Sequence, residues 1–146
     1  MLGITYRETD VPDERLRLGI LDPLIRHNVE QTQRSDHRPL IVAIEDAQGA
    51  VVGGLWAHTS WDWLFVQLLF VPENLRGHGV GSELMARAEA EAHRRGCHSA
   101  WLDTFQFQAR GFYERIGYSC FAELPDYPIG FARYFMKKRL STDDWT

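Results

Sequence analysis

Residues 63–71, WLFVQLLFV, are almost wholly apolar, and together with the glycine-rich stretch directly after them they restrict the fold more than any other part of the chain. A run of that length, ended by Pro72, predicts a strand buried on both faces. Next comes LRGHGVGSEL, residues 75–84, with glycine at 77, 79 and 81. Val80, Leu84, Met85, Ala88 and Ala92 then recur at helical spacing, while Glu83, Arg87, Glu91 and Arg94 fall on the other side. Gly96 after the basic pair Arg94 and Arg95 stops that helix. HSAWLDTF, residues 98–105, returns as a strand, parallel to the first because a helix has crossed between them. The centre of the chain therefore reads as strand, glycine turn, helix, parallel strand.

Further strands and helices flank that unit. GITYRET, residues 3–9, alternates Ile4 and Tyr6 with polar neighbours and predicts a first strand, broken by DVPDE. Asp22 and Pro23 read as the N-cap and first turn of a helix reaching Gln33, with Leu16 to Leu21 as an alternative earlier turn. Residues 39–46 and 50–60 are β-rich runs joined at AQG, a hairpin signal. ARGFYERIG, residues 109–117, is a short helix stopped by Gly117. Residues 118–124 and 131–140 close the chain as two strands around PDYPIG, and residues 141–146 read as a loose tail. With 146 residues, 45% of them hydrophobic, a single domain spanning 1–146 is expected.

Charge and composition exclude several classes of partner. The formal net charge of -4 disfavours general nucleic-acid binding, which needs clustered cations. No apolar run approaches the roughly 20 residues of a membrane helix. No signal peptide is read, so a soluble, cytoplasmic protein is expected. The six histidines lack His-Glu-x-x-His spacing and no Cys-x-x-Cys occurs, so no metal site is expected. Cys97 and Cys120 read as small apolar residues rather than nucleophiles.

Glycine at 77, 79 and 81 leaves backbone N–H groups uncovered at a helix end whose dipole favours negative charge. Such a turn can hold a phosphate or pyrophosphate. It is neither a Walker loop, which needs Gly-Lys-Ser/Thr, nor a G-x-G-x-x-G dinucleotide loop. The same glycines would also serve a bare strand-to-helix corner.

Arg76-x-x-Gly79-x-Gly81, led by LFVPENL and followed by Ala109, Tyr113, Gly117 and Tyr118 in ARGFYERIGY, resembles the signature of the GNAT superfamily of acetyl-coenzyme A-dependent N-acetyltransferases. Residues 101–118 together with ELPDYPIGFARYFMKKRL look like a small bacterial subgroup of that superfamily. The resemblance covers residues 40–140 and implies a mixed α/β fold. Its sheet would be central and mostly antiparallel, with one splayed parallel pair and flanking helices. It implies acetyl-coenzyme A as co-substrate and an amine of a small molecule or protein as acceptor. The amides of Arg76, Gly77, His78, Gly79, Val80, Gly81 and Ser82 would cradle the pyrophosphate, where a side chain at 79 or 81 would intrude. The strand edge at Leu69, Phe70 and Val71 would pair with the pantetheine amides. Gln106 stands where the family commonly has an Asn on pantetheine. Tyr113 stands where the family has the acid for the departing thiolate, a task suited to a phenol of pKa about 10. Homodimers are common in such folds, and the last strands are the candidate interface.

The acceptor adds a demand of its own. An amine of pKa about 10.4 is mostly protonated at pH 7, a barrier of roughly 4 to 5 kcal/mol unless a base or water chain removes the proton. Asp62, between Trp61 and Trp63 at the mouth of the apolar strand, and Asp103 on the parallel strand are the candidates. His58, Glu73 and Tyr127 stand behind them, and Trp56, Trp61, Trp63 and Trp101 are candidate pocket walls or core. The alternatives to an N-acetyltransferase are transfer of a larger acyl group and a non-catalytic acyl-coenzyme A-binding or sensor module.

Overall fold

The computed structural model describes residues 2–140, and the chain divides into two compact units, Met1–Ser35 and Asp36–Thr146. The expected tail at 141–146 lies outside the described residues.

In the first unit, helix α1 (Glu14–Thr32) begins well before Asp22, because Asp13 is the N-cap and its carboxylate accepts from the Arg15 N–H at 2.8 Å. Pro23 therefore stands inside the helix, where it removes the N–H that would reach the carbonyl of Gly19. The strand expected at 3–9 does not form. Residues 2–9 have no regular structure, and among the described residues none pairs with them. Alternating side chains make a strand only where a neighbour completes the hydrogen-bond ladder.

The second unit is a six-stranded sheet with helices α2 and α3 on one face. Its strands are β1 (Arg38–Glu45), β2 (Val51–Ser60), β3 (Trp63–Phe70), β4 (Ser99–Phe105), β5 (Ser119–Leu124) and β6 (Arg133–Arg139), in the order β1-β2-β3-β4-β6-β5. Only β3 and β4 run parallel; every other pair is antiparallel. The β1–β2 hairpin turns on Asp46, whose Oδ1 accepts from the N–H groups of Gln48 and Ala50, both at 2.9 Å. Helix α2 (Val80–Arg94) crosses from β3 to β4 and buries Leu84, Met85, Ala88 and Ala92, the face read from the sequence. They meet Leu40, Leu55, Leu64, Val66, Leu102 and Met136 in one core. The side chain of Arg95 ties the end of α2 to the sheet, donating to the carbonyls of Arg38 and Pro39 and to Thr59 Oγ1. The short helix α3 (Arg110–Arg115) adds Tyr113 and Phe112 to the same core.

The apolar run 63–71 departs from expectation in its second half. Leu64 and Val66 are buried, but Leu68 and Phe70 are 59% and 57% exposed. Two features of the sheet cause this. Trp56 pairs with Leu68 and Ala57 with Val66, so Gln67 is an extra residue that bulges β3. Moreover β3 pairs with β4 only over Trp63–Val66, whereas β4 keeps β6 as neighbour as far as Phe105. Beyond Val66 the two parallel strands part, and a V opens toward the carboxyl end of β3.

Candidate active site

The glycine turn lies where the V opens. After a short 3-10 turn at Glu73–Leu75, Gly77 and Gly79 take φ of 80° and 76°, left-handed values that a Cβ would strain. A Cβ at either position would meet no atom within 4 Å, so the turn is bare toward open space. Gly81 has a different reason: its Cβ would come within 3.2 Å of Phe112 Cζ, so glycine lets α2 approach α3. The helix ladder starts with Glu83 N–H donating to the Gly79 carbonyl at 3.0 Å, and no side chain caps α2. Among the described residues, the N–H groups of Gly77, His78, Gly79, Val80, Gly81 and Ser82 make no well-aligned hydrogen bond to the protein. Unmatched amides at the positive end of a helix dipole form a cradle for an anion. Arg76 fastens the turn: its Nε–H donates to the Val71 carbonyl at 3.0 Å and its guanidinium lies 5.9 Å from the Phe70 ring centre. That carbonyl is therefore occupied, and among the described residues the β3 edge without a strand partner comprises Leu68, Leu69 and Phe70.

Tyr113 sits on the helix side of the sheet, 7% exposed, its ring edge-on to Phe112 and Tyr118 at 5.1 and 6.0 Å. Among the described residues no hydrogen bond engages its hydroxyl and no fully buried side-chain oxygen or nitrogen lacks a partner, so this hydroxyl is not fully buried. Burial, with the Asp103 carboxylate adding to it, pushes its pKa up to about 12. The phenol thus keeps its proton at any physiological pH. Tyr118 braces it from behind: its hydroxyl donates to Glu89 at 3.0 Å, and Lys138 pairs with the same carboxylate at 2.6 Å.

Asp103 belongs to the opposite face of β4. Ala100, Leu102 and Thr104 are buried toward the helices, so Trp101, Asp103 and Phe105 point the other way. The Asp103 carboxylate is paired with Arg133, its Oδ1 accepting from Nε at 2.9 Å and lying 2.7 Å from Nη2. The Arg133 guanidinium is also packed among Phe105, Tyr127 and Phe135, at 5.1, 5.0 and 5.5 Å from their ring centres. Tyr113 and Asp103 thus approach the gap between the arms from opposite faces of the sheet.

The other sequence candidates lie elsewhere. Asp62 is not at the mouth. It and Trp61 form the tight β2–β3 turn, with φ of 72° and 48°, and the Asp62 carbonyl accepts from His98 N–H. That is the closed end of the parallel pair, about 23 Å along the strand from Leu69 at ~3.3 Å per residue. His58 is near that end as well, its ring 4.5 Å from His37 and 5.4 Å from Phe65, and burial and the His37 charge lower its pKa. Glu73 is exposed in the 3-10 turn. Gln106 is engaged with protein: its Oε1 accepts from Ala132 N–H at 2.9 Å and its own N–H donates to the Ala132 carbonyl at 2.8 Å. It clasps the β5–β6 loop to the end of β4. Sequence reasoning misses Arg133, Phe105 and Phe107. Alternation along β4 could have put Phe105 on the face of Asp103, whereas Phe107 lies in the turn after β4 and Arg133 is 30 residues away, so neither leaves such a signal.

Among the described residues no group of three or more His, Cys, Asp or Glu is placed to hold a metal, and no helix is long and apolar enough to cross a membrane.

A bare amide turn leading into a parted parallel pair suits a ligand with a phosphate at one end and an extended arm. A model of the acetyltransferase (GNAT) family matches residues 7–118, and the chain belongs to that family. Acetyltransferase Atu2258 of Agrobacterium fabrum (strain C58 / ATCC 33970) is 40% identical over 131 residues, covering 90% of this chain and 96% of the relative. Blasticidin-S acetyltransferase of Streptomyces morookaense is 41% identical over 144 residues, covering 96% and 100%. A crystal structure of an acetyltransferase from Agrobacterium tumefaciens superposes with a TM-score of 0.89 at 39% identity, over 93% of this chain and 99% of that one.

Proposed function

We propose that the protein transfers an acetyl group from acetyl-coenzyme A directly to a primary amine of a small molecule. The observation that carries this reading is the run of unmatched amides at 77–82 at the head of α2, beside the open end of β3. It offers donors to a pyrophosphate, while the free edge at Leu68, Leu69 and Phe70 offers main-chain groups to the amides of the pantetheine arm. The co-substrate supplies an acetyl carbon activated as a thioester, so that amide formation accompanies departure of a thiol. Tyr113 holds a proton for that sulfur at the helix side of the gap. The Asp103 carboxylate, on the far face, holds the acceptor's ammonium and takes its proton directly or through water. Asp62 has no part in this scheme, being at the closed end of β3. A small-molecule acceptor is favoured over a protein by the relative named blasticidin-S acetyltransferase, which is matched over its whole length.

Ser82→Glu tests the co-substrate site. Ser82 is exposed in the first turn of α2, where a carboxylate suits the helix but repels a phosphate. Calorimetry should find acetyl-coenzyme A bound at least about 10-fold more weakly by the variant, with no loss of thermal stability. Equal affinity, or no binding by the folded wild type, overturns the assignment.

We also propose a single domain over 1–146 and a homodimer through the last strands. β5 is a sheet edge with Phe121 and Leu124 51% and 43% exposed, which supports that interface. Light scattering of wild type and Phe121→Lys should find a dimer that the substitution dissociates.

A further inference from the structure

Beyond Asp103 the far face of the gap carries a concentration of exposed aromatic rings that neither the core nor the proposed chemistry uses. Phe105 and Phe107 stack at 5.2 Å with planes 12° apart, Phe107 meets Phe131 edge-on at 5.3 Å and 87°, and Tyr127 lies 5.6 Å from Phe105. Phe107, Tyr127 and Phe131 are nonetheless 57%, 45% and 44% exposed. The rings pack on one another and still leave much of their surface open, and the backbone fixes the loop that carries two of them. Tyr127 N–H donates to the Phe131 carbonyl at 2.8 Å, Phe131 N–H to the Pro128 carbonyl at 2.9 Å, and Gly130 N–H to Asp126 Oδ1 at 3.3 Å. The two-way clasp between Gln106 and Ala132 then locks this loop to β4. An aromatic rim therefore begins two residues along β4 from Asp103, and its cation, Arg133, is already engaged by that carboxylate and the rings.

We propose that this rim is the acceptor subsite and selects amines carried on a flat π-ring, the ring lying against Phe107 and Phe131 while the amine meets the Asp103 carboxylate. The assignment rests on the acetyl-transfer reading. Aromatic rings favour offset or edge-on partners with a π-system over an aliphatic ring of equal size. An ammonium on the same molecule finds an acceptor at the foot of the rim and no unpaired cation beside it. The occupant is thus a small cationic arylalkylamine or heteroaryl amine, not a protein surface.

The test compares 2-phenylethylamine with 2-cyclohexylethylamine, which share carbon skeleton and amine and differ in ring flatness. Steady-state thiol release with acetyl-coenzyme A should give the phenyl amine about 5-fold to 10-fold higher kcat/KM, through KM rather than kcat. Phe107→Leu and Phe131→Leu should each raise the KM of the phenyl amine toward that of the cyclohexyl amine, with acetyl-coenzyme A affinity kept as the folding control. Equal kcat/KM for the two amines in the wild type, or a preference that survives both substitutions, overturns the subsite. Calorimetric titration of each amine into the coenzyme A-saturated protein reads the rim without turnover. Preferential binding of the phenyl amine that Phe107→Leu abolishes supports the rim even if neither amine is acetylated, and no preference overturns it. Failure of acetyl-coenzyme A to bind strikes the acetyl-transfer reading instead, and the same amine titrations on the free protein then decide the rim.

Discussion

In the proposed mechanism Tyr113 supplies the proton to the departing sulfur. Its ring is fixed by Phe112 and Tyr118, so Tyr113→Phe removes one hydroxyl and keeps the packing. Turnover should fall about 10²-fold to 10⁴-fold, with acetyl-coenzyme A affinity unchanged by calorimetry. With its pKa pushed up to about 12, the phenol cannot produce an alkaline limb near pH 10, so kcat between pH 8 and about 10.5 should show no decline of that origin. A fall centred near 10 that Tyr113→Phe abolishes would contradict the burial argument. His58 governs stability rather than catalysis. Its folded pKa is lowered by burial and by His37, so the unfolded chain binds the extra proton. The His58 contribution is fully present above about pH 6.5 and is lost as the pH falls through that value toward the lower folded pKa. His58→Gln should flatten the decline of Tm between pH 7 and 5. Glycines 77, 79 and 81 are legible in the sequence as a bare turn, and the structure separates their reasons into left-handed backbone at two of them and contact with Phe112 at the third. The engagement of Gln106 with Ala132 is not legible there, because its partner is 26 residues distant.

Among the elements, β3 matters most. Its composition says strand and cannot say where the neighbouring strand leaves it. The bulge at Gln67 and the end of β4 pairing at Val66 turn an apolar run into a half-buried strand with one usable edge. β2 supports that geometry at Gly54, which pairs with Phe70 and has φ 141°. A Cβ there would stand 2.4 Å from the Val42 carbonyl oxygen, on the adjacent strand. Gly54→Ala should destabilise the protein by more than about 1 kcal/mol in urea unfolding, and more than Gly49→Ala in the open β1–β2 turn. α2 is legible almost to the residue, since an amphipathic helix with a glycine stop carries its own signal. The start of α1 is not, because Asp22-Pro23 is as good a beginning in sequence as Asp13 and only the cap bond to Arg15 distinguishes them.

For the whole molecule, the core around Leu64, Met85, Leu102 and Met136 holds the sheet against α2. Leu102→Ala should cost about 2–5 kcal/mol by denaturant unfolding, since the lost methyl groups leave a cavity between strand and helix. Acetyl-coenzyme A at about 100 times its Kd should raise stability by about 2.7 kcal/mol, seen as a higher Tm for wild type and a smaller gain for Ser82→Glu. The sequence by itself determined the order of elements from residue 38 onward, the parallel pair and the glycine turn, because periodicity and turn chemistry act over a few residues. Only the tertiary structure decided that Asp62 lies at the closed end of the pair, that Asp103 is paired with Arg133, and that Phe107 and Tyr127 cluster with Phe105 and Phe131. Those facts depend on which strands stay paired and which part, and strand pairing is settled by contacts between residues far apart in the chain.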